Sequence, residues 1–100
     1  MATVTSQTQI DELELARQNE VKLKQAFANA FAIPLDSAIG EMAYGAVACW
    51  DSTAHMVLIA EIEAAFEILL TTDDVIDLSS YRKAKEIIRK YGVAIEAQPR

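Results

Sequence analysis

Three residue types that recur together in hydrolytic enzymes, Asp51, Ser52 and His55, fall within five positions of a 100-residue chain. They lie in the stretch CWDSTAHM, residues 49–56, and His55 is the only histidine. A nucleophilic serine needs a base within hydrogen-bond reach and a third group that orients the base. On a helix, Ser52 and His55 would stand three positions apart on one face. Asp51 sits at the helix entry, however, where its carboxylate is wanted by the exposed amides of the first turn. The sequence around Ser52 also lacks the Gly-x-Ser-x-Gly elbow of the common hydrolase fold. No catalytic residue is assigned on these grounds, and His55 reads as a partly buried side chain at the core or its edge. Cys49 precedes a helix start, where a thiolate would be favoured, but reads more simply as a small apolar loop residue. Trp50 reads as a loop anchor packed over the core. One histidine and one cysteine supply too few strong ligands for a metal, so no metal site is expected.

A different chemistry suits Ser52 as well. A serine in the first turn of a helix presents its oxygen where backbone amides are unpaired and the helix dipole is positive. A phosphate held there is favourably placed. Ser52 could therefore carry a phosphodiester installed by another enzyme, or it could be no more than a good first-turn residue. The local residues leave both readings open.

The elements that would position this segment are helical. Ile10, Leu13, Ala16, Leu23, Phe27 and Phe31 fall near one stripe, interrupted at Arg17 and Glu20, which predicts a firm helix from about Asn19 to Phe31 stopped by Pro34. Met1 to about Gln9 is polar and reads as a loose end, so residues 1–18 form an extension that is partly flexible or helical. Pro34 to Trp50 has no clean period and contains Gly40 and Gly45. Its apolar residues (Leu35, Ile39, Met42, Tyr44, Val47) predict a long loop packed over the helices, and loops of this length are usually functional. Asp51 then caps a helix from Ser52 to about Phe66 or Leu69. Its core face carries His55, Leu58, Ile59, Ile62 and Phe66. The opposite face carries Thr53, Met56, Val57, Ala60 and Ala64 with Glu63, and is more apolar than a solvated helix face normally is. Thr71–Asp74 begins a short helix with Val75, Ile76 and Leu78 pointing inward. Ser79 or Ser80 caps a last helix, Tyr81 to Tyr91, with Ala84, Ile87, Ile88 and Tyr91 as its apolar stripe, and Gly92 ends it. The remaining residues, 92–100, are expected to fray. The predicted fold class is an all-α, small four-helix bundle of three main helices, one short helix and a long first loop.

Composition narrows the function classes. Fifty-two per cent hydrophobic and 24% charged residues describe a globular chain, not a disordered one. No apolar run spans a bilayer, because Glu61, Glu63 and Glu67 interrupt the longest one. No secretory signal is read at the N-terminus, and a single cysteine fits a reducing compartment, so the expected location is cytoplasmic, without membrane association. The net charge of −6 is uneven: residues 1–79 carry 3 basic and 13 acidic groups, residues 80–100 carry 6 basic and 2 acidic. An acidic body argues against nucleic acid as a partner and favours partners with basic docking patches. The basic C-terminal stretch reads as the solvated face of the last helix.

From Val21 to Tyr91 the sequence resembles the acyl carrier protein family, the phosphopantetheine-binding domains of fatty acid, polyketide and nonribosomal peptide synthesis. The resemblance lies in the order of parts: a helix ending in AFANAFAI, a long loop, Asp51-Ser52, the helix HMVLIAEIEAAFEI, the short segment TTDDVIDL, and a capped last helix. The form YGAVACWDSTAHM is similar to a branch of discrete carriers with Trp before Asp-Ser and His-Met after it. The resemblance implies a carrier domain over residues 19–91. It implies that Ser52 takes 4′-phosphopantetheine from coenzyme A, that the arm's thiol holds an acyl, aminoacyl or ketide group as a thioester, and that the protein itself is not an enzyme. Asp51 would help the phosphopantetheinyl transferase dock, and the helix from Ser52 onward would be read by loading ligases, synthases or transferases. Two departures from the family pattern bear on partners. Thr53 stands where the family commonly has Leu, and the outward positions Met56, Val57 and Ala60 leave mainly Glu63 as an acid. A dedicated carrier in a specialised pathway, monomeric and docking through an apolar helix face, is therefore expected over a housekeeping fatty-acid carrier. An unmodified helical interaction module is the alternative from outside the carrier class.

Overall fold

The computed structural model describes residues 2–37, 39–44 and 49–96, with side chains from residue 13 onward. The side chain of Ile10, Gly45, Val47 and residues 97–100 lie outside the described residues. Four α-helices follow in order: α1 (Ala2–Phe31), α2 (Ser52–Phe66), α3 (Thr72–Asp77) and α4 (Tyr81–Lys90), with a 3-10 turn at Ile39–Glu41 in the first loop. The protein is a small all-α four-helix bundle. Among the described residues the only β-pairing is an isolated antiparallel bridge, Ala43 with Ser80.

The core is aromatic at one end and aliphatic along its length. Leu23, Phe27 and Phe31 of α1 meet Leu58, Ile59 and Ile62 of α2 and Tyr81, Ala84, Ile87 and Ile88 of α4. Phe27 makes edge-on contacts with Phe31, Trp50 and Tyr81 at ring-centre distances of 5.8, 5.5 and 5.2 Å, the geometry aromatic quadrupoles prefer. Trp50 is 1% exposed. It is thus a member of the core and not a loop residue resting on it.

The apolar stripe on α1 is buried at Leu23, Phe27 and Phe31, while Ala16 is half-buried and Leu13 exposed. The helix is continuous from Ala2, where a loose end is predicted, because extending an existing helix costs little once its first turn is formed. Leu13 is 51% exposed. At 30 residues α1 is about 45 Å long, against about 22 Å for the 15 residues of α2, and Leu15, one turn before Asn19, is exposed as well.

Two further expectations are corrected. Ile76 is 71% exposed while Val75 is half-buried and Leu78 buried. Six residues make fewer than two turns; positions 75 and 78 share a face and position 76 is turned away. The segment after Gly92 also does not fray at once: Ile95 is buried, and Asn19 Nδ2 donates to the Ala94 carbonyl at 2.8 Å.

The long loop is pinned at its middle. Tyr44 N donates to the Ser79 carbonyl (2.8 Å) and Tyr81 N to the Met42 carbonyl (3.0 Å), while Ile39 and Met42 are buried. This places Tyr44 beside the α2 N-terminus.

Candidate functional site

Asp51 adopts extended backbone angles and accepts from Ala54 N with Oδ1 at 2.9 Å, the N-cap arrangement its position predicts. Its carbonyl takes the His55 amide at 2.8 Å as the first intrahelical bond. Ser52 is the first residue of α2 and is exposed. Helix geometry gives the amides of Ser52 and Thr53 no acceptor within the helix.

His55 is not available to Ser52. Its Nδ1 accepts from Trp50 Nε1–H at 3.0 Å, and its Nε2 lies 2.8 Å from the Val75 carbonyl. A ring nitrogen that accepts carries no proton, so the proton resides on Nε2, which donates to Val75. Both nitrogens are thereby used. Ser52 Oγ instead lies 3.3 Å from the Tyr44 hydroxyl, a residue the sequence reading treats only as a packing residue of the loop. No signal in the sequence marks it: it stands in the stretch without periodicity, eight positions before Ser52. The three residues of the apparent triad are therefore a cap, an exposed hydroxyl and a half-buried strut, and among the described residues no base is bonded to the serine.

Beside Ser52, between α2, α3 and the pinned loop, opens a cavity of about 480 Å³. Met56, Val75, Ile76 and Leu78 supply apolar walls, and Tyr44, Ser52 and Ser79 supply hydroxyls. The volume falls within the range of small-molecule sites.

The outward face of α2 is open where the sequence places it: Thr53, Met56, Val57, Ala60 and Ala64 are exposed, Met56 by 58%. Glu63 is different. It is half-buried, and its Oε2 accepts from Leu70 N at 2.9 Å, so its carboxylate closes the end of α2 and is not a free charge for a partner. Glu61 likewise accepts from Asn29 Nδ2 at 3.2 Å. Cys49 is exposed, where a small apolar loop residue is predicted.

The wall formed by α3 is secured from its far side by a network the sequence reading misses. Asp74 is buried and takes Lys90 Nζ at 2.7 Å and the Tyr91 hydroxyl at 2.6 Å. Tyr91 accepts in turn from Thr71 N at 3.0 Å. The Lys90 ammonium and then the Tyr91 hydroxyl hold the Asp74 carboxyl below its ordinary value, and the same carboxylate raises Lys90. The spacing of Asp74 from Lys90 and Tyr91 has no helical or strand period, so only the fold brings them together.

Among the described residues no group of three His, Cys, Asp or Glu side chains could hold a metal ion, and no helix is long and apolar enough to cross a membrane. Fold and site together define a small all-α bundle with an exposed serine opening its second helix beside a mostly apolar cavity. No family model, no curated protein and no solved structure matches the chain.

Proposed function

We propose that the protein is a carrier that holds an acyl, aminoacyl or ketide group as a thioester on a 4′-phosphopantetheine arm attached to Ser52, and that it performs no catalysis of its own. The observation that carries this reading is the setting of Ser52: an exposed hydroxyl on the first turn of a capped helix, with no general base, opening onto a cavity with apolar walls. The resemblance of residues 21–91 to the acyl carrier family supports it.

The residues present fit such an arm. Asp51 occupies the Ala54 amide, and the Ser52 and Thr53 amides can face a phosphate at the positive end of α2. Bound there, the arm supplies a terminal thiol for the thioester. The rest of the work falls to this chain's side chains. Asp51 fixes the helix entry for a phosphopantetheinyl transferase, and Tyr44 orients the serine oxygen. Thr53, Met56, Val57 and Ala60 present an apolar, uncharged surface to loading and delivering enzymes. That surface favours a few dedicated partners over many basic ones, hence a specialised pathway. The same surface, with Leu69 and Ile76 also exposed, is the ground for the competing reading of an unmodified helical interaction module.

One experiment separates the two. The full chain is incubated with coenzyme A and a broad-specificity phosphopantetheinyl transferase, and its intact mass is measured. The expected outcome is a gain of one phosphopantetheine that disappears in Ser52→Ala. An unchanged mass, under conditions that modify a control carrier, rejects the carrier reading.

A further inference from the structure

Attachment at Ser52 requires neither Trp50 nor His55, yet the two are built into one another. Trp50 is fixed in the core by Phe27 and Phe31, at ring-centre distances of 5.5 and 5.2 Å. Its indole lies edge to edge with the His55 ring, the two planes 21° apart and the ring centres 6.1 Å apart, as Nε1–H donates to Nδ1. That bond dictates the tautomer, and the tautomer dictates that Nε2–H points its proton at Val75. The Val75 carbonyl belongs to the last turn of α3, where carbonyls have no acceptor role left inside the helix. A donor from α2 satisfies it. The imidazole thus spans from the core to the wall of the cavity that faces Ser52.

We propose that His55 is a positioning residue: locked as the Nε2–H tautomer by Trp50, it holds α3 at a set distance from the Ser52 end of α2 and so fixes the width of the cavity between them. The proposal rests on the carrier reading only for what enters that cavity. The strut also explains how a six-residue helix, too short to be stable alone, keeps its place. The Asp74 network fastens one side of α3 to α4, and His55 fastens the other side to α2.

The test uses the unmodified full chain, so its result does not depend on whether Ser52 is ever modified. Long-range proton–nitrogen correlation spectra should give a pyrrole-type Nε2 and a pyridine-type Nδ1 for His55; this measurement needs no variant. His55→Gln keeps a donor near the Nε2 position but loses the acceptor for Trp50, whereas His55→Leu loses both. Both variants should lose thermal stability. Only His55→Leu should exchange its α3 amides roughly tenfold faster relative to those of α1 and α4, with shifted methyl resonances for Val75, Ile76 and Leu78. His55→Gln should return those signals toward wild type. An Nδ1–H tautomer, or equal α3 exchange in the two variants, overturns the proposal.

Discussion

At the scale of single residues, the polar side chains around the α2 N-terminus are committed to partners: Asp51 to the Ala54 amide, Trp50 to His55, and His55 to both Trp50 and Val75. Trp50 combines two tasks, filling the aromatic core and donating to His55. Trp50→Phe keeps a ring but removes the donor and part of the volume, and should cost about 2–3 kcal/mol of unfolding free energy in urea titrations. Glu63 and Val57 differ in the same way. Because Glu63 serves Leu70, Glu63→Gln, which keeps an acceptor there, should leave the rate of arm attachment or loading within about twofold. Val57→Asp, which puts a charge in the middle of the apolar face, should lower it about tenfold. The opposite ranking would remove the argument for an apolar docking face. The exposure of Val57 was legible from its place on the helical stripe. The commitment of Glu63 was not, because its partner is a backbone amide beyond the helix end, reached only after the chain reverses.

At the scale of elements, the three longer helices finish in the same manner. Ala32, Glu67 and Gly92 have φ of 55°, 56° and 89°. In each case the next residue returns its amide to a carbonyl five positions back: Ile33 to Ala28, Ile68 to Glu63 and Val93 to Ile88. Ile33, Ile68 and Val93 all pack against the core, the hydrophobic contact that accompanies this type of stop. Gly92 announces its stop in the sequence. Ala32 and Glu67 do not, because a residue with a Cβ is held in the left-handed region by the packing of the partly buried isoleucine that follows. Glu67→Gly should therefore raise stability by about 1 kcal/mol, read as a higher urea midpoint at unchanged slope. A drop in the midpoint would mean that the Glu67 side chain contributes more than its backbone strain costs.

At the scale of the whole molecule, the charge asymmetry along the chain becomes a set of internal contacts. Basic groups of α4 meet acids of the body: Lys85 with Glu20 at 2.8 Å, Lys90 with Asp74 at 2.7 Å. Glu20 also accepts from the Tyr81 hydroxyl at 2.5 Å. Burial raises the Glu20 carboxyl, but Lys85 and Tyr81 outweigh it and the net displacement is downward. Burial first, and Glu20 second, push the Tyr81 phenol up. Carboxyls displaced downward stabilise the fold above their ordinary values, 4.5 for Glu20 and 3.8 for Asp74, and lose that contribution as pH falls through their lower folded values. Asp74→Asn should thus be less stable than wild type near neutrality, and the gap should hold down to about pH 5 and narrow as pH falls toward and below 3.8, through about pH 3. A gap that stays constant over that range would show that Asp74 acts by packing alone. The bundle itself was legible in the apolar periods of α2 and α4 and in the caps Asp51 and Ser80. The exposure of Leu13 was not, since a stripe records which side of a helix is apolar and says nothing about how far its neighbours extend.

The bridge between the loop and the start of α4 has a consequence for how such a protein can diversify. Tyr44 and Ser79 stand on the cavity rim, and both are exposed, yet the bond that registers them runs from one main chain to the other. Substitution of either side chain leaves that register in place. Mutation can therefore try new chemistries around the opening while the path of the backbone is inherited unchanged, so the rim can change its chemistry without the bundle having to be refolded around it.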